Sequence, residues 1–145
     1  RAFVMEAMRL YPPAWMITRH AVNDDSIAGY AIPRGSLVFT SPYVTHRHPD
    51  YFPNPEGFNP ERFAEGTLSK ELRSAYFPFG MGPRLCIGQS FAMMEAVLIF
   101  ARILQRVTLS RISGELPRAQ PSVTLRPAGP VLMDVRPVQP RSVPG

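Results

Sequence analysis

Residues 77–88 read Phe77-Pro78-Phe79-Gly80-Met81-Gly82-Pro83-Arg84-Leu85-Cys86-Ile87-Gly88 and run into an apolar stretch, Gln89 to Arg106, of helical pattern. Cys86 is the only cysteine in 145 residues, so a disulfide framework and a cysteine-cluster metal site are excluded. A structural thiol, a nucleophile and a single-thiolate ligand remain open. A thiol before a helix faces the unpaired N–H groups of the first turn, which favour a thiolate. Arg84, two residues away, adds positive charge. The three glycines let the main chain approach something bulky and flat. A lone cysteine in arbitrary surroundings is more often a buried structural thiol.

Upstream of this loop, residues 1–11 are predicted to be helical and to end at Pro12-Pro13. Val4, Met8 and Tyr11 recur on one apolar face, and Glu6 and Arg9 share another. Trp15 to Ala21 has β character. Ile27 to Ile32 and Leu37 to Thr40 read as two strands of a hairpin joined through Pro33-Arg34-Gly35-Ser36. A short helix is placed over Val44 to Asp50. Residues 49–63, with four prolines and three Phe, suit an ordered meander, and residues 64–76 a polar surface connection. The helix from Gln89 to Arg106 is apolar all round at Val97 to Ala101, so it is expected to be buried by elements upstream of Arg1 and to expose an apolar patch in these residues alone. Short β runs follow at Val107–Ile112, Ser122–Arg126 and Val131–Val135. Pro137 to Gly145 reads as a tail.

Composition narrows the class. Seventeen prolines are about twice the usual share and argue against a plain helix bundle. Residues 1–95 carry nine basic and nine acidic side chains, so the net charge of +5 sits in residues 96–145, where seven Arg face Glu115 and Asp134. These Arg are scattered singly and no nucleic-acid recognition motif accompanies them, so nucleic acid is not the expected partner. The longest apolar stretch, Phe91 to Leu104, is broken by Glu95 and Arg102 and is shorter than the ~20 residues of a membrane span.

The string Phe79-x-x-Gly82-x-Arg84-x-Cys86-x-Gly88 resembles the haem-binding signature of the cytochrome P-450 family, the haem-thiolate monooxygenases. Glu6-x-x-Arg9 is similar to the motif of the family's helix K, and Pro60-Glu61-Arg62-Phe63 to that of its meander. The three motifs fall in the family's order, and the resemblance runs from Arg1 to about Arg136. It implies a mainly α fold with small β-sheets, of which this chain is a C-terminal piece. Residues 1–136 would belong to the monooxygenase domain and 137–145 to a flexible tail. The implied cofactor is haem b, iron protoporphyrin IX, with Cys86 as the iron ligand. In this family the thiolate pushes electron density onto the iron and favours O–O cleavage.

Further roles follow from the same resemblance. Phe79 packs beside the sulfur. Arg84 and Arg19 match positions that pair with haem propionates, as charge-assisted hydrogen bonds would. Gly82, Ile87 and Gly88 complete the cofactor loop. Glu6, Arg9 and Arg62 form one buried charge network. Ala14, Met16 and Val123 would border an apolar substrate pocket. No catalytic residue beyond the ligand is assigned here, since the family's acid and Thr lie on a helix expected upstream of Arg1. One departure is His46-Arg47-His48-Pro49, where many relatives have His-Arg-Asp-Pro, and His48 is read as a solvated loop residue. The implied activity inserts one oxygen atom of O2 into an apolar molecule. Electrons come from NAD(P)H through a ferredoxin or flavin-type reductase, in a bacterial cytoplasm, and an anchor upstream of Arg1 stays open. The alternatives are peroxygenase, dehydratase or isomerase chemistry in the same family, a non-catalytic haem-binding fragment, and a basic nucleic-acid-binding module with steep salt dependence.

Overall fold

The computed structural model describes residues 1–138 apart from 68, 113 and 116. The expected tail therefore lies outside the described residues from position 139 onward. Four helices and four two-stranded antiparallel sheets make up the described chain. These helices and small sheets fit a C-terminal piece of the fold that the motifs implied.

Helix α1 (Ala2–Leu10) ends where expected. The Tyr11 N–H makes the last helical bond, 2.8 Å to the Ala7 carbonyl, and Pro12-Pro13 supply no further donors. Its buried residues are Glu6, Arg9 and Leu10, while Val4 and Met8 are half-buried and Tyr11 is exposed. The expected apolar face is therefore not the most buried one, because the two charges find partners inside.

Strand β1 (Ile17–His20) pairs with β4 (Leu37–Thr40), Ile17 opposite Thr40 and His20 opposite Leu37. Strands β2 (Asp25–Ile27) and β3 (Tyr30–Ile32) pair with each other. This corrects the expected hairpin. Ala28 and Gly29 have φ of 51° and 85°, the paired positive values of a tight two-residue turn, so Ile27–Ile32 folds on itself. Pro33–Ser36 then returns the chain to β1, with the Ala21 N–H bonded to Ser36 O at 2.9 Å.

Helix α2 (Pro42–Thr45) starts two residues before the expected position. Ser41 Oγ caps it and Pro42 occupies its first turn, a start signal legible in Ser-Pro. Residues 49–63 form the expected meander and end in a 3-10 turn over Pro60–Phe63. Phe52 and Phe63 are buried and join Ala75 in the core, whereas Phe58 is exposed and meets Phe3 edge-on at 4.9 Å. The segment read as a surface connection contains helix α3 (Lys70–Ala75), capped by Ser69 Oγ on the Leu72 N–H.

Helix α4 (Gln89–Arg106) spans the expected residues and has no buried residue. Leu98 is 62% exposed and Ile99 53%, the open apolar surface expected of these residues taken alone. Phe100 does pack, stacked on Phe3 at 4.5 Å. Soluble monomers seldom leave so many large apolar side chains open on one helix. The 145 residues alone are expected to self-associate in solution. Replacing Leu98 and Ile99 by Glu should shift them toward monomer, as read by light scattering, and a wild-type chain that is monomeric at high concentration would contradict this.

The C-terminal β region is re-registered relative to expectation. β5 (Val107–Arg111) pairs with β8 (Met133–Pro137), and β6 (Ala119–Gln120) with β7 (Arg126–Pro127). Residues 122–125, read as part of a strand, form the tip between β6 and β7, since Pro121 cannot continue the ladder. The third run starts at Met133 rather than Val131 and continues through Pro137, which pairs with Val107. The Val138 N–H then reaches Arg106 O at 2.9 Å.

Candidate functional site

The Cys86 loop is held by its own main chain. The Gly80 N–H donates to Phe77 O (3.0 Å), Leu85 N–H to Gly82 O (3.0 Å), Cys86 N–H to Phe79 O (3.0 Å) and Gln89 N–H to Cys86 O (3.2 Å). Gly80 and Gly82 have φ of 75° and 67°, which L side chains rarely adopt, so the loop's course depends on those glycines. A short 3-10 turn over Gly82–Arg84 then lifts the chain to Cys86.

The thiol of Cys86 is exposed, and so are Met81, Leu85 and Ile87 around it. A Cβ at Gly88 would lie 3.8 Å from Sγ, and one at Gly82 would meet nothing within 4 Å. The thiol thus stands at the head of α4 on an open apolar shelf. Arg84 is exposed and makes no hydrogen bond or ion pair among the described residues. Phe79 is half-buried. A soft sulfur donor, an apolar shelf and a free guanidinium fit a flat apolar cofactor that carries acidic groups. Among the described residues no cluster of three or more His, Cys, Asp or Glu could hold a metal ion.

Strand β1 reaches this loop. Ile17 Cδ1 lies 3.8 Å from the place a Gly80 Cβ would take. Arg19 shares that face of β1, two residues on, is exposed, and spends one N–H on the Thr18 carbonyl at 2.9 Å. Ahead of β1, Trp15 Nε1 donates to Ser122 O (2.8 Å) and the Leu125 N–H to Pro13 O (3.0 Å). These bonds bring the segment of Ala14 and Met16 to one edge with Val123, which is 95% exposed at the β6–β7 tip. All three residues are exposed.

Glu6, Arg9 and Arg62 come together behind the loop. Arg9 Nε and Nη2 grip the Glu6 carboxylate at 2.7 and 2.9 Å, with both side chains fully buried. Arg9 Nη1 donates to His46 O (2.9 Å) and Pro55 O (2.6 Å), and Nη2 also to Gly57 O (3.0 Å). All five guanidinium donors are thus used. Glu6 Oε1 further accepts the Asn59 N–H at 2.8 Å. Arg62 Nε lies 3.5 Å from the same oxygen, an ion pair without a formed hydrogen bond, while its Nη2 donates to Asn54 O at 2.9 Å. Tyr76 donates its hydroxyl to Met5 O at 2.9 Å. Burial first, then the Glu6 charge, raises its pKa, so it stays protonated.

His46 is the residue that sequence reasoning missed. It is fully buried, with Nε2 accepting the Phe77 N–H at 3.0 Å and Nδ1 3.3 Å from Arg9 O. Nothing local marks it, since its partners lie 37 and 31 residues away. His48 by contrast is half-exposed, 3.8 Å from the Asp50 carboxylate. Burial lowers the His46 pKa from 6.5 to about 4. The Arg9 carbonyl opposes that, and the Arg9 and Arg47 charges add to it. An unfolded His titrates near 6.5, so between that pH and about 4 only the unfolded chain takes up the proton. This group therefore leaves stability flat above pH ~6.5 and lowers it as pH falls to about 4, by about 3 kcal/mol in all. Denaturant midpoints measured across pH 4–8 should show that slope in the wild type and lose most of it in His46→Gln.

The family model for cytochrome P-450 matches residues 1–133. The chain belongs to the cytochrome P-450 family. It is 42% identical over 128 residues to cyclooctatin synthase of Streptomyces melanosporofaciens, covering 88% of this chain and 28% of that protein. It is 39% identical over 115 residues to cyclooctat-9-en-7-ol 5-monooxygenase of the same organism, covering 79% and 25%. The chain thus spans about a quarter of the length of these P-450 relatives. Among solved structures it is similar to a retinoic acid-bound cyanobacterial member, CYP120A1, at a TM-score of 0.87 and 30% identity, covering 94% of this chain and 32% of that one. No helix among the described residues is long and apolar enough to cross a membrane.

Proposed function

We propose that this P-450 chain carries the cofactor-binding portion of a haem-thiolate monooxygenase. The observation that carries the reading is the exposed Cys86 thiol, held by main-chain bonds on an apolar shelf at the head of α4. When bound to Cys86, haem b would supply activation of O2, one oxygen atom entering an apolar organic substrate and the other leaving as water. Electrons would come from NAD(P)H through a ferredoxin or flavin-type reductase.

The chain's own residues divide the remaining work. Cys86 would hold the iron through its sulfur, at the exposed head of α4. Phe79 shields the sulfur from water, and Gly82, Ile87 and Gly88 shape a surface on which a flat ring can lie. Arg84 and Arg19, from the loop and from β1, hold the cofactor's carboxylates. Ala14, Met16 and Val123 face the substrate side with apolar or small side chains. The monooxygenase named among the relatives supports the reaction, and the retinoic acid-bound neighbour supports an apolar substrate. A bacterial cytoplasmic setting belongs to the same proposal, supported on the bacterial side by the Streptomyces relatives.

The test is turnover of the haem-loaded protein with an electron-donor partner under 18O2. The expected product carries one labelled oxygen and requires NAD(P)H. A product formed from peroxide alone, or rearranged without label, would instead favour the peroxygenase or isomerase alternative.

A further inference from the structure

Between the charge network and the Cys86 loop lies the fully buried side chain of His46. It closes the C-terminal end of α2, and its ring lies 5.2 Å from Tyr76 in a stacked arrangement, with Phe77 edge-on at 5.4 Å. Its own carbonyl accepts from Arg9 Nη1 at 2.9 Å. A backbone N–H can bond only an unprotonated ring nitrogen, so the Phe77 contact makes Nε2 the acceptor. The ring proton then sits on Nδ1 and points at the Arg9 carbonyl.

Phe77 is where the Cys86 loop begins. Its carbonyl takes the Gly80 N–H, and two residues later the Phe79 carbonyl takes the Cys86 N–H. A continuous path therefore runs from Arg9 through the imidazole to Phe77 and on to the sulfur-bearing residue. We propose that His46, as the neutral Nδ1–H tautomer, is a positioning residue that fixes the entry of the Cys86 loop to α1 and so sets the ligand's geometry. The step to ligand geometry rests on the assignment of Cys86 as the haem ligand. The depressed pKa agrees with an imidazole that stays neutral at pH 7.

Three substitutions separate the two bonds in the haem-loaded protein. Gln at 46 can place its amide oxygen where Nε2 stands and keep the Phe77 bond. Asn can place an amide N–H near Nδ1 and keep the Arg9 bond but is too short for Phe77. Leu keeps neither. The readouts are hydrogen exchange at the Phe77 amide and the fraction of haem with a thiolate-type carbonmonoxy band. His46→Gln is expected within about twofold of wild type on both. In His46→Asn and His46→Leu the exchange should be about tenfold faster, the loss of one buried hydrogen bond, and the thiolate fraction should fall several-fold. The proposal is overturned if Asn rescues as well as Gln, or if Leu leaves both readouts unmoved. Should Leu fail to fold, the Gln–Asn contrast decides, together with 15N spectra of wild-type His46, where an Nε2–H tautomer or an imidazolium at pH 7 also overturns it. A wild-type protein without any thiolate band refutes the ligand assignment instead, while Phe77 exchange still decides the His46 link.

Discussion

Glu6→Ala is expected to cost about 3–5 kcal/mol of stability, the usual penalty for stranding a buried charge by removing its partner. Arg9 has both its Glu6 bonds inside the protein and is itself fully buried, so no water replaces the lost carboxylate. The Asn59 N–H loses its acceptor in the same step. A domain has ~5–15 kcal/mol in total, so the variant should yield little folded, haem-loaded protein rather than folded protein with slow turnover. Arg9→Lys is expected to be nearly as damaging, because one ammonium cannot reach Glu6, His46 O, Pro55 O and Gly57 O together. Arg62→Ala should cost less, since Glu6 keeps both Arg9 bonds and loses only an ion pair at 3.5 Å, together with the Arg62 bond to Asn54 O. Thermal melts and haem content of the three variants check this order. A Glu6→Ala protein that melts with wild type would reduce the pair to a solvated contact.

The network also marks how far the amino-acid pattern could be followed. Helical periodicity put Glu6 and Arg9 on one face of α1 but could not say that this face is the buried one. The reason is that Arg9 is satisfied by carbonyls of residues 46, 55 and 57, which no local pattern connects to it. His46 escaped notice for the same cause. The Cys86 loop was more legible because its constraints are local: positive φ at Gly80 and Gly82, and a thiol directly ahead of a long helix. Register was poorly legible. Ala28-Gly29 turns the chain inside what reads as a single β run, and Pro121 cuts another short. For α4 the apolar pattern and its exposure in these residues were both legible, because burial depends on what lies against a helix and not on its composition alone. The short helix α3 was hidden in a polar segment whose one clear signal is Ser69 at its cap.

The second large effect concerns the sulfur itself. Cys86→Ser in the haem-loaded protein is expected to abolish the red-shifted carbonmonoxy Soret band of a thiolate complex, and Cys86→His to move it to the position of an imidazole complex. The substitution is a clean one for a structural reason. Position 86 is held through its N–H to Phe79 O and its carbonyl to the Gln89 N–H, and both bonds belong to the main chain. The side chain is exposed, and even a Cβ built at Gly88 would stand 3.8 Å from its sulfur. Ser therefore removes the sulfur without dismantling the loop, and the melting temperature should stay near wild type while the thiolate spectrum disappears. Glu6→Ala predicts the opposite pairing, since there the fold is lost and the spectrum goes with it. The two variants thus separate a ligand from a support. A thiolate band that survives in Cys86→Ser would rule out the assignment, because serine supplies no sulfur to the iron.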